Sequence, residues 1–446
     1  MIKSLAAVAP ARDNYLLMLE WLRQHRGWIT LIVLAAIYYP LFGKGSQGIA
    51  LYAAAGRCIW HGQALLPCEP MFSYQPALAA LMVPIAVLPA ALQKLVWYVI
   101  CVGSLVLTVR LAEAMAERLY SGATHGRNLI WLRAVNLLLC SKYILLVLAY
   151  QAYQAPALAM MTLGIWALTV GREASGGFWL AAAAAIRATP LVYLPYLLLK
   201  RRYLAGAAFV AGFIAISFLP DMISALHGGH TGYVQDWIRL TIPAIAPGMT
   251  PGPTSSLPYW NDWVGQSSGH NQSLRGLVNR LASGPIFGFS PTVVLVAVDG
   301  AFALMAAAIL LISPRDKAYA AIDGAVLLIA VLVLSPMTSL SHYIIVLPVV
   351  ILVAAAVIND RRMRVFGSVV LATSFILMTG TSNDLTQRWT GEFAYLYGFI
   401  TEGAIVLLAA LAMMAGIWRP PGVAAGESHS LERSSAVGAQ IRPAGG

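Results

Sequence analysis

Charge is scarce in this chain. Of 446 residues only 11% are charged, 29 Lys and Arg against 18 Asp and Glu, while hydrophobic residues make up 59% and the mean hydropathy is +0.73. Soluble domains run at roughly 25% charged and 45–50% apolar, so a water-soluble fold is excluded. Cysteine occurs only four times, and no CxxC pair, HExxH helix or P-loop stands out. Zinc hydrolysis and ATP use therefore have no support, and neither a cofactor nor a metal site is implied. A cleavable signal peptide is not visible either. The first apolar run, Trp28 to Phe42, follows Lys3, Arg12, Arg23 and Arg26 and lacks a small-residue cleavage site, which reads as a signal anchor with the N-terminus in the cytoplasm.

What the chain has in abundance is apolar runs. With ~20 residues as the ruler for a bilayer crossing, spans are predicted near residues 28–42, 90–112, 128–149, 155–171, 203–220, 291–313, 318–337, 341–358, 365–380 and 394–417. The net charge of +11 does not point to nucleic acid, because the cations sit in short clusters between these runs, as in KRR at 200–202 and RRMR at 361–364. Such clusters mark cytoplasmic loops. Between Arg172 and the Lys200-Arg201-Arg202 cluster the chain is too short to cross twice, and both ends are basic. A re-entrant pair of half-helices is expected there, breaking near Arg187 to Pro190, where proline removes a donor and bars helix from the residue before it. The expected fold is an all-α polytopic bundle of about 10–12 helices, set by the length of a span. It is a multi-pass protein of the bacterial plasma (inner) membrane with both termini cytoplasmic. Residues 1–418 form the membrane domain and 419–446, rich in Pro, Gly, Ala and Ser, a disordered cytoplasmic tail.

Two long loops, about 43–89 and 221–290, fall on the outer side. GIALYAAAGRCIWHGQ, YVQDWIRLTI and NQSLRGLVNRLA carry apolar residues at helical spacing, and FSYQPALAALMVPIAVLP is too short to span, so interfacial helices are expected. Loops of this length are commonly functional. Cys58 and Cys68 share the first of them. In an oxidising compartment they are a possible disulfide, although spacing alone leaves the pairing open. Cys101 and Cys140 lie in spans as packed thiols.

Polar groups within this hydrocarbon stand out. Arg187, in AIRATP, lies where the hairpin breaks and is placed to clamp a phosphate by paired donors while a lipid tail stays in hydrocarbon. The alternative is an ion pair with Asp299 or Asp323. His342 lies in SPMTSLSHYIIVLP, irregular backbone that directly follows AVLLIAVLVL, and lipid tolerates such backbone only where protein or water surrounds it. It serves as a general base or merely bonds Ser335, Thr338 or Ser339. Glu69, in PCEPMF, is the acidic residue of the first outer loop, either at a cavity mouth or simply solvated. Asp236 and Asp262 stand among Trp237, Trp260 and Trp263, aromatics that stack on sugars or anchor at the interface.

Five segments in order then resemble one family. FSYQP resembles its FxYPP, Tyr150-Gln151 its Gly-Gln, and AIRATPLVYLPYLLLKRR its AIKPxPLLLLxYLLLRRR. HNQSLRGLVNRL resembles NQSLxGLLxRL, and LSPMTSLSHYIIVLP resembles LSPxSWxHHxxxLLP. The family is glycosyltransferase family 87 of the GT-C superfamily, related to bacterial α-mannosyltransferases, and the likeness runs from about residue 28 to 358. It implies transfer of a mannose-like hexose from a polyprenyl-phosphate sugar to a glycan or lipid acceptor at the outer face, with no nucleotide cofactor. By that likeness Arg187 and Arg275 bind the donor phosphate, and Tyr74, Gln151, Asn271, Gln272, Ser273 and Ser341 line the cavity. His342 and Glu69 are the candidate catalytic groups. Aligned on Tyr52, Arg57 and Gly62, however, Gln47 or Gly48 stands where the family carries an aspartate thought to act as base, and the family's His-His pair is reduced to Ser341-His342. A relative that binds or moves a polyprenyl-linked glycan without catalysis is therefore the competing reading. A secondary transporter is a third, and would show paired broken segments in its two halves.

Overall fold

The computed structural model describes Tyr38 and residues 47–245, 271–282, 290–381 and 388–417. The predicted first span, the tail, and Asp262, Trp260 and Trp263 fall outside the described residues, apart from Tyr38. The helices, in chain order, are α1 (Gln47–Trp60), α2 (Leu65–Cys68), α3 (Pro76–Ala86), α4 (Ala90–Leu119), α5 (Gly126–Ala149), α6 (Gln154–Thr169), α7 (Glu173–Ile186), α8 (Tyr193–Leu199) and α9 (Tyr203–Ser217). They continue with α10 (Leu219–Ala225), α11 (Tyr233–Ile245), α12 (Leu274–Ala282), α13 (Pro291–Ile312), α14 (Ala320–Val333), α15 (Val346–Asn359), α16 (Arg361–Phe375), α17 (Arg388–Tyr397) and α18 (Phe399–Ala412). No strand occurs among the described residues. Among the described residues seven helical segments are long and apolar enough to cross a membrane, which makes this an all-α polytopic bundle.

Hydropathy around each helix decides its place. In α14 all fourteen residues are buried, and the span containing α15 is 89% buried. Both are apolar on every face, so protein must surround them. α4, α9 and α13 are apolar too, yet only about a third of each is buried, leaving broad faces for lipid. Two predicted spans are shorter than a crossing: α6 has 16 residues and α14 has 14. Packed inside the bundle, they need not reach both surfaces. α3 also departs from expectation. It was expected to lie at the interface, but nine of its eleven residues are buried, because PALAALMVPIA has no polar face to offer water.

The hairpin forms as anticipated. α7 spans about 21 Å at ~1.5 Å per residue, short of the ~30 Å hydrocarbon core. It stops where Arg187 turns extended (φ −146°, ψ 125°), and a 3-10 turn at Thr189–Val192 carrying Pro190 leads into α8, which returns. Its base is tied at one end of the bundle: Arg202 donates to the Leu168 carbonyl (3.1 Å), and the Lys200 ammonium bonds the Ser313 carbonyl (2.8 Å) and pairs with Asp323 (3.2 Å). Small residues let the hairpin pack tightly. A Cβ on Gly177 would stand 2.0 Å from the Ala205 carbonyl oxygen of α9.

At the opposite end the short helices gather. The Cys58–Cys68 disulfide, with Cα atoms 6.1 Å apart, joins α1 to α2. The turn after α1 docks on the turn before α11 through His230 N–H to the Gly62 carbonyl (2.8 Å) and the Tyr233 hydroxyl to the Gln63 carbonyl (2.9 Å). The described parts of the two long loops thus form one layer over this end of the bundle.

Candidate active site

Beneath that layer lies a cavity of about 1170 Å³, above the upper end of ordinary small-molecule pockets. It is walled by α1, the Glu69–Gln75 segment, the α5–α6 turn, the hairpin break at 186–189, α11 and the 335–342 loop. Tyr74, Glu69, Arg187, Ser341 and His342 all line it, so five of the residues singled out in the sequence converge on one space.

Arg187 is only partly buried. Its Nη2 donates to Ser335 Oγ (2.6 Å) and to the Met337 carbonyl (2.8 Å), and its charge acts on the Tyr153 phenol beside it. Neither expected carboxylate is its partner. Asp323 pairs with Lys200, and Asp299 faces Arg275. Among the described residues no carboxylate lies within ion-pair distance of Arg187, so neutral oxygens hold the guanidinium in place and leave its positive charge to the cavity. Such an arrangement suits an anion better than an empty site.

Glu69 supplies the opposite charge. It follows directly on α2, is partly exposed, and carries the only carboxylate among the described residues that line the cavity. Its backbone is fixed by N–H to the Leu65 carbonyl (2.7 Å) and by the Phe72 N–H to its own carbonyl (3.0 Å). Its side-chain oxygens have no protein partner among the described residues.

His342, fully packed at the start of the 3-10 turn Leu340–Ile345, has both ring nitrogens engaged. Nδ1 accepts the Ser339 backbone N–H (3.0 Å) and lies 2.8 Å from the Ser339 hydroxyl. Of the partners considered from sequence, Ser339 is therefore the one it takes. An accepting Nδ1 places the proton of a neutral ring on Nε2, which lies 3.0 Å from the Gln154 amide nitrogen and 3.4 Å from the Tyr153 hydroxyl. Two donors cannot face each other. Gln154 Oε1 is buried with no partner, and turning that amide over lets Oε1 accept from Nε2–H, satisfying both groups.

Gln151, Asn271, Gln272 and Arg275 are not among the cavity's lining residues. Gln151 is wholly buried at the left-handed turn (φ 53°) between α5 and α6, where its carbonyl accepts the Trp97 indole N–H (2.7 Å). Asn271 and Gln272 act behind the wall. Asn271 Nδ2 donates to the Pro336 carbonyl (3.0 Å), its Oδ1 accepts the Thr338 N–H (3.1 Å), and Gln272 N–H bonds the Thr338 carbonyl (2.7 Å). They hold the loop that holds Arg187. Ser273 joins the same staple, its hydroxyl 3.4 Å from the Pro336 carbonyl. Arg275 is half-buried near Asp299 of α13, whose negative charge offsets part of the cost of burying it. Gln154, one helical turn beyond Gln151, is a cavity amide that the sequence reading missed, as is Gln75. The signal for Gln154 was the second Gln of YQAYQAP, at the first position of α6.

Gly48 also lines the cavity. A Cβ there would stand 2.5 Å from the carbonyl oxygens of both Tyr150 and Gln151, so α1 meets the α5–α6 turn too closely for an aspartate at this position. The side chain of Gln47 is outside the described residues.

A bundle of this kind, with a large cavity whose described lining includes Arg187 and Glu69 under a layer of short helices, is that of a multi-pass membrane protein with room for a large ligand. The chain belongs to glycosyltransferase family 87, whose sequence profile matches residues 72–336, and is thus a membrane glycosyltransferase by family. That match includes Arg187 and the Asn271–Ser273 staple and stops short of Glu69 and His342. No curated protein and no solved structure matches the chain.

Proposed function

We propose that this protein transfers a hexosyl group, mannose or a close relative, from a polyprenyl-phosphate sugar to a glycan or lipid acceptor at the outer face of the bacterial plasma membrane. The observation that carries the reading is Arg187, an arginine partway into the bundle, oriented by neutral oxygens and opening on the cavity that Glu69 also lines. The donor phosphate sits on Arg187, its tail runs into the apolar part of the cavity, and the sugar lies toward Glu69. As the acceptor hydroxyl attacks the anomeric carbon, its proton passes to the Glu69 carboxylate. The bond from that carbon to the phosphate oxygen breaks, and the charge gathering on the leaving polyprenyl phosphate is stabilised by Arg187. His342 is assigned to positioning: with Nδ1 held by Ser339, it fixes Tyr153 and Gln154 at the wall. The cation-rich turns at the other end, such as Lys200–Arg202 and Arg361–Arg364, support a cytoplasmic placement of that end and hence an outward cavity.

The test is sugar transfer from radiolabelled polyprenyl-phosphate mannose in membranes carrying wild type, Arg187→Ala, Glu69→Gln and His342→Ala. The reading expects transfer by wild type, near-complete loss in the first two variants and a partial loss in the third. No transfer by wild type with several sugars offered would favour the non-catalytic, glycan-binding reading.

A further inference from the structure

A second, smaller pocket of about 330 Å³ lies beside the large cavity, between α2 and α11. The two spaces share Ser73, Tyr74, Trp237 and Thr241 as a common wall. Its other surfaces are mostly aliphatic and aromatic, Leu65, Leu66, Pro67 and Leu240 among them. Polar groups are few: Asp236 is engaged by His230 (2.8 Å) and the Tyr233 hydroxyl by the Gln63 carbonyl (2.9 Å), Arg239 is exposed, and the Ser73 and Thr241 hydroxyls lie on the shared wall. A sugar ring, with a hydroxyl on nearly every carbon, would leave most of those hydroxyls unpaired here. An alkyl or isoprenoid chain would not.

The location decides whose chain it is. None of the hairpin residues beside Arg187 and none of the 335–342 loop contributes to this pocket. Its floor is α2, and Glu69 is the next residue after α2. The pocket therefore adjoins the cavity on the side of the carboxylate, away from the cation that takes the leaving phosphate. An acceptor must approach with its hydroxyl at the base.

Resting on the function proposed above, we infer that the acceptor is a lipid-linked or otherwise amphiphilic alcohol, whose apolar chain occupies the α2–α11 pocket while its hydroxyl reaches past Tyr74 and Trp237 to Glu69. Arg239 is placed to meet an anionic group on that acceptor at the surface.

The probe is an alkyl α-mannoside with a diazirine in its chain, applied to the full-length protein in nanodiscs, with the photolabelled peptides mapped by mass spectrometry. The expected label falls on residues 64–67 and 237–241, is displaced by dodecyl α-mannoside, and survives an excess of polyprenyl phosphate. Leu240→Trp and Leu66→Trp, which fill the pocket from opposite sides, lower it by about tenfold or more, since each methylene kept in water weakens binding about fourfold. Arg187→Ala leaves it unchanged. Displacement by polyprenyl phosphate would assign the pocket to the donor's tail and overturn the proposal, as would a label confined to the large cavity or indifferent to both tryptophans. Label at the expected peptides without sugar transfer from any donor would still support the site and would count only against the catalytic reading.

Discussion

Replacing Arg187 by alanine removes a cation that lines the cavity with no carboxylate beside it among the described residues. Its Nη2 group is committed to Ser335 and Met337, so the two N–H donors of Nη1 remain to meet phosphate oxygens. Hydrogen bonds to charged groups contribute about 1.5–3 kcal/mol each, so two of them on the departing phosphate amount to roughly 3–6 kcal/mol. At a factor of ten for each ~1.4 kcal/mol, kcat/KM for transfer from polyprenyl-phosphate mannose should fall by two to four powers of ten. Lysine keeps the charge but loses the planar donors that hold the group on Ser335 and Met337, so Arg187→Lys should lie about tenfold below wild type. A purely structural arginine predicts a different pattern. Ser335→Ala removes one of the same internal bonds, a loss of about 1 kcal/mol. If Ser335→Ala and Arg187→Ala reduced transfer equally, at equal amounts of folded protein, or if Arg187→Ala stayed within threefold of wild type, the phosphate role would be refuted.

Glu69→Gln, which cannot accept a proton, should lower kcat by about 10²–10⁴ with the KM for donor nearly unchanged, measured by steady-state transfer. A KM effect alone would remove Glu69 from the chemistry. Reduction of Cys58–Cys68, or the double change to serine, should loosen the segment that carries Glu69. A closed loop of this size contributes roughly 3 kcal/mol on the chain-entropy account, and reductant should slow wild type while leaving Glu69→Gln no slower than before. Gly48→Asp should fail to restore or raise transfer and should lower the melting temperature, because even a Cβ meets two backbone carbonyls and overpacking costs about 1–3 kcal/mol. Higher activity in that variant would show that α1 can move aside.

Much of the fold was legible because hydropathy speaks directly to where a helix can lie. The long spans, the hairpin and its break at Arg187 all followed from run length, basic ends and Pro190. Burial depth was less legible. A short apolar run such as α3 reads equally as interfacial or buried until its neighbours are known, and α6 and α14 looked like full crossings although packing against other helices lets them stop short. At the site, residue identity drew attention to Arg187, Glu69 and His342, which do share the cavity. Position along the chain does not give side-chain direction, however. Gln151 and Gln154 differ by one helical turn, and only the second turns toward His342. Asn271 and Gln272 looked like cavity residues for the same reason, and instead clamp the loop behind Arg187.

The most direct measurement is an electron cryomicroscopy structure of the full chain in nanodiscs with a non-hydrolysable polyprenyl-phosphonate mannose. The account predicts the phosphonate within hydrogen-bond distance of the Arg187 guanidinium, and the sugar lying between that arginine and Glu69, in a cavity open to the outer side. A phosphonate bound elsewhere, or a cavity opening toward the cytoplasm, would contradict it.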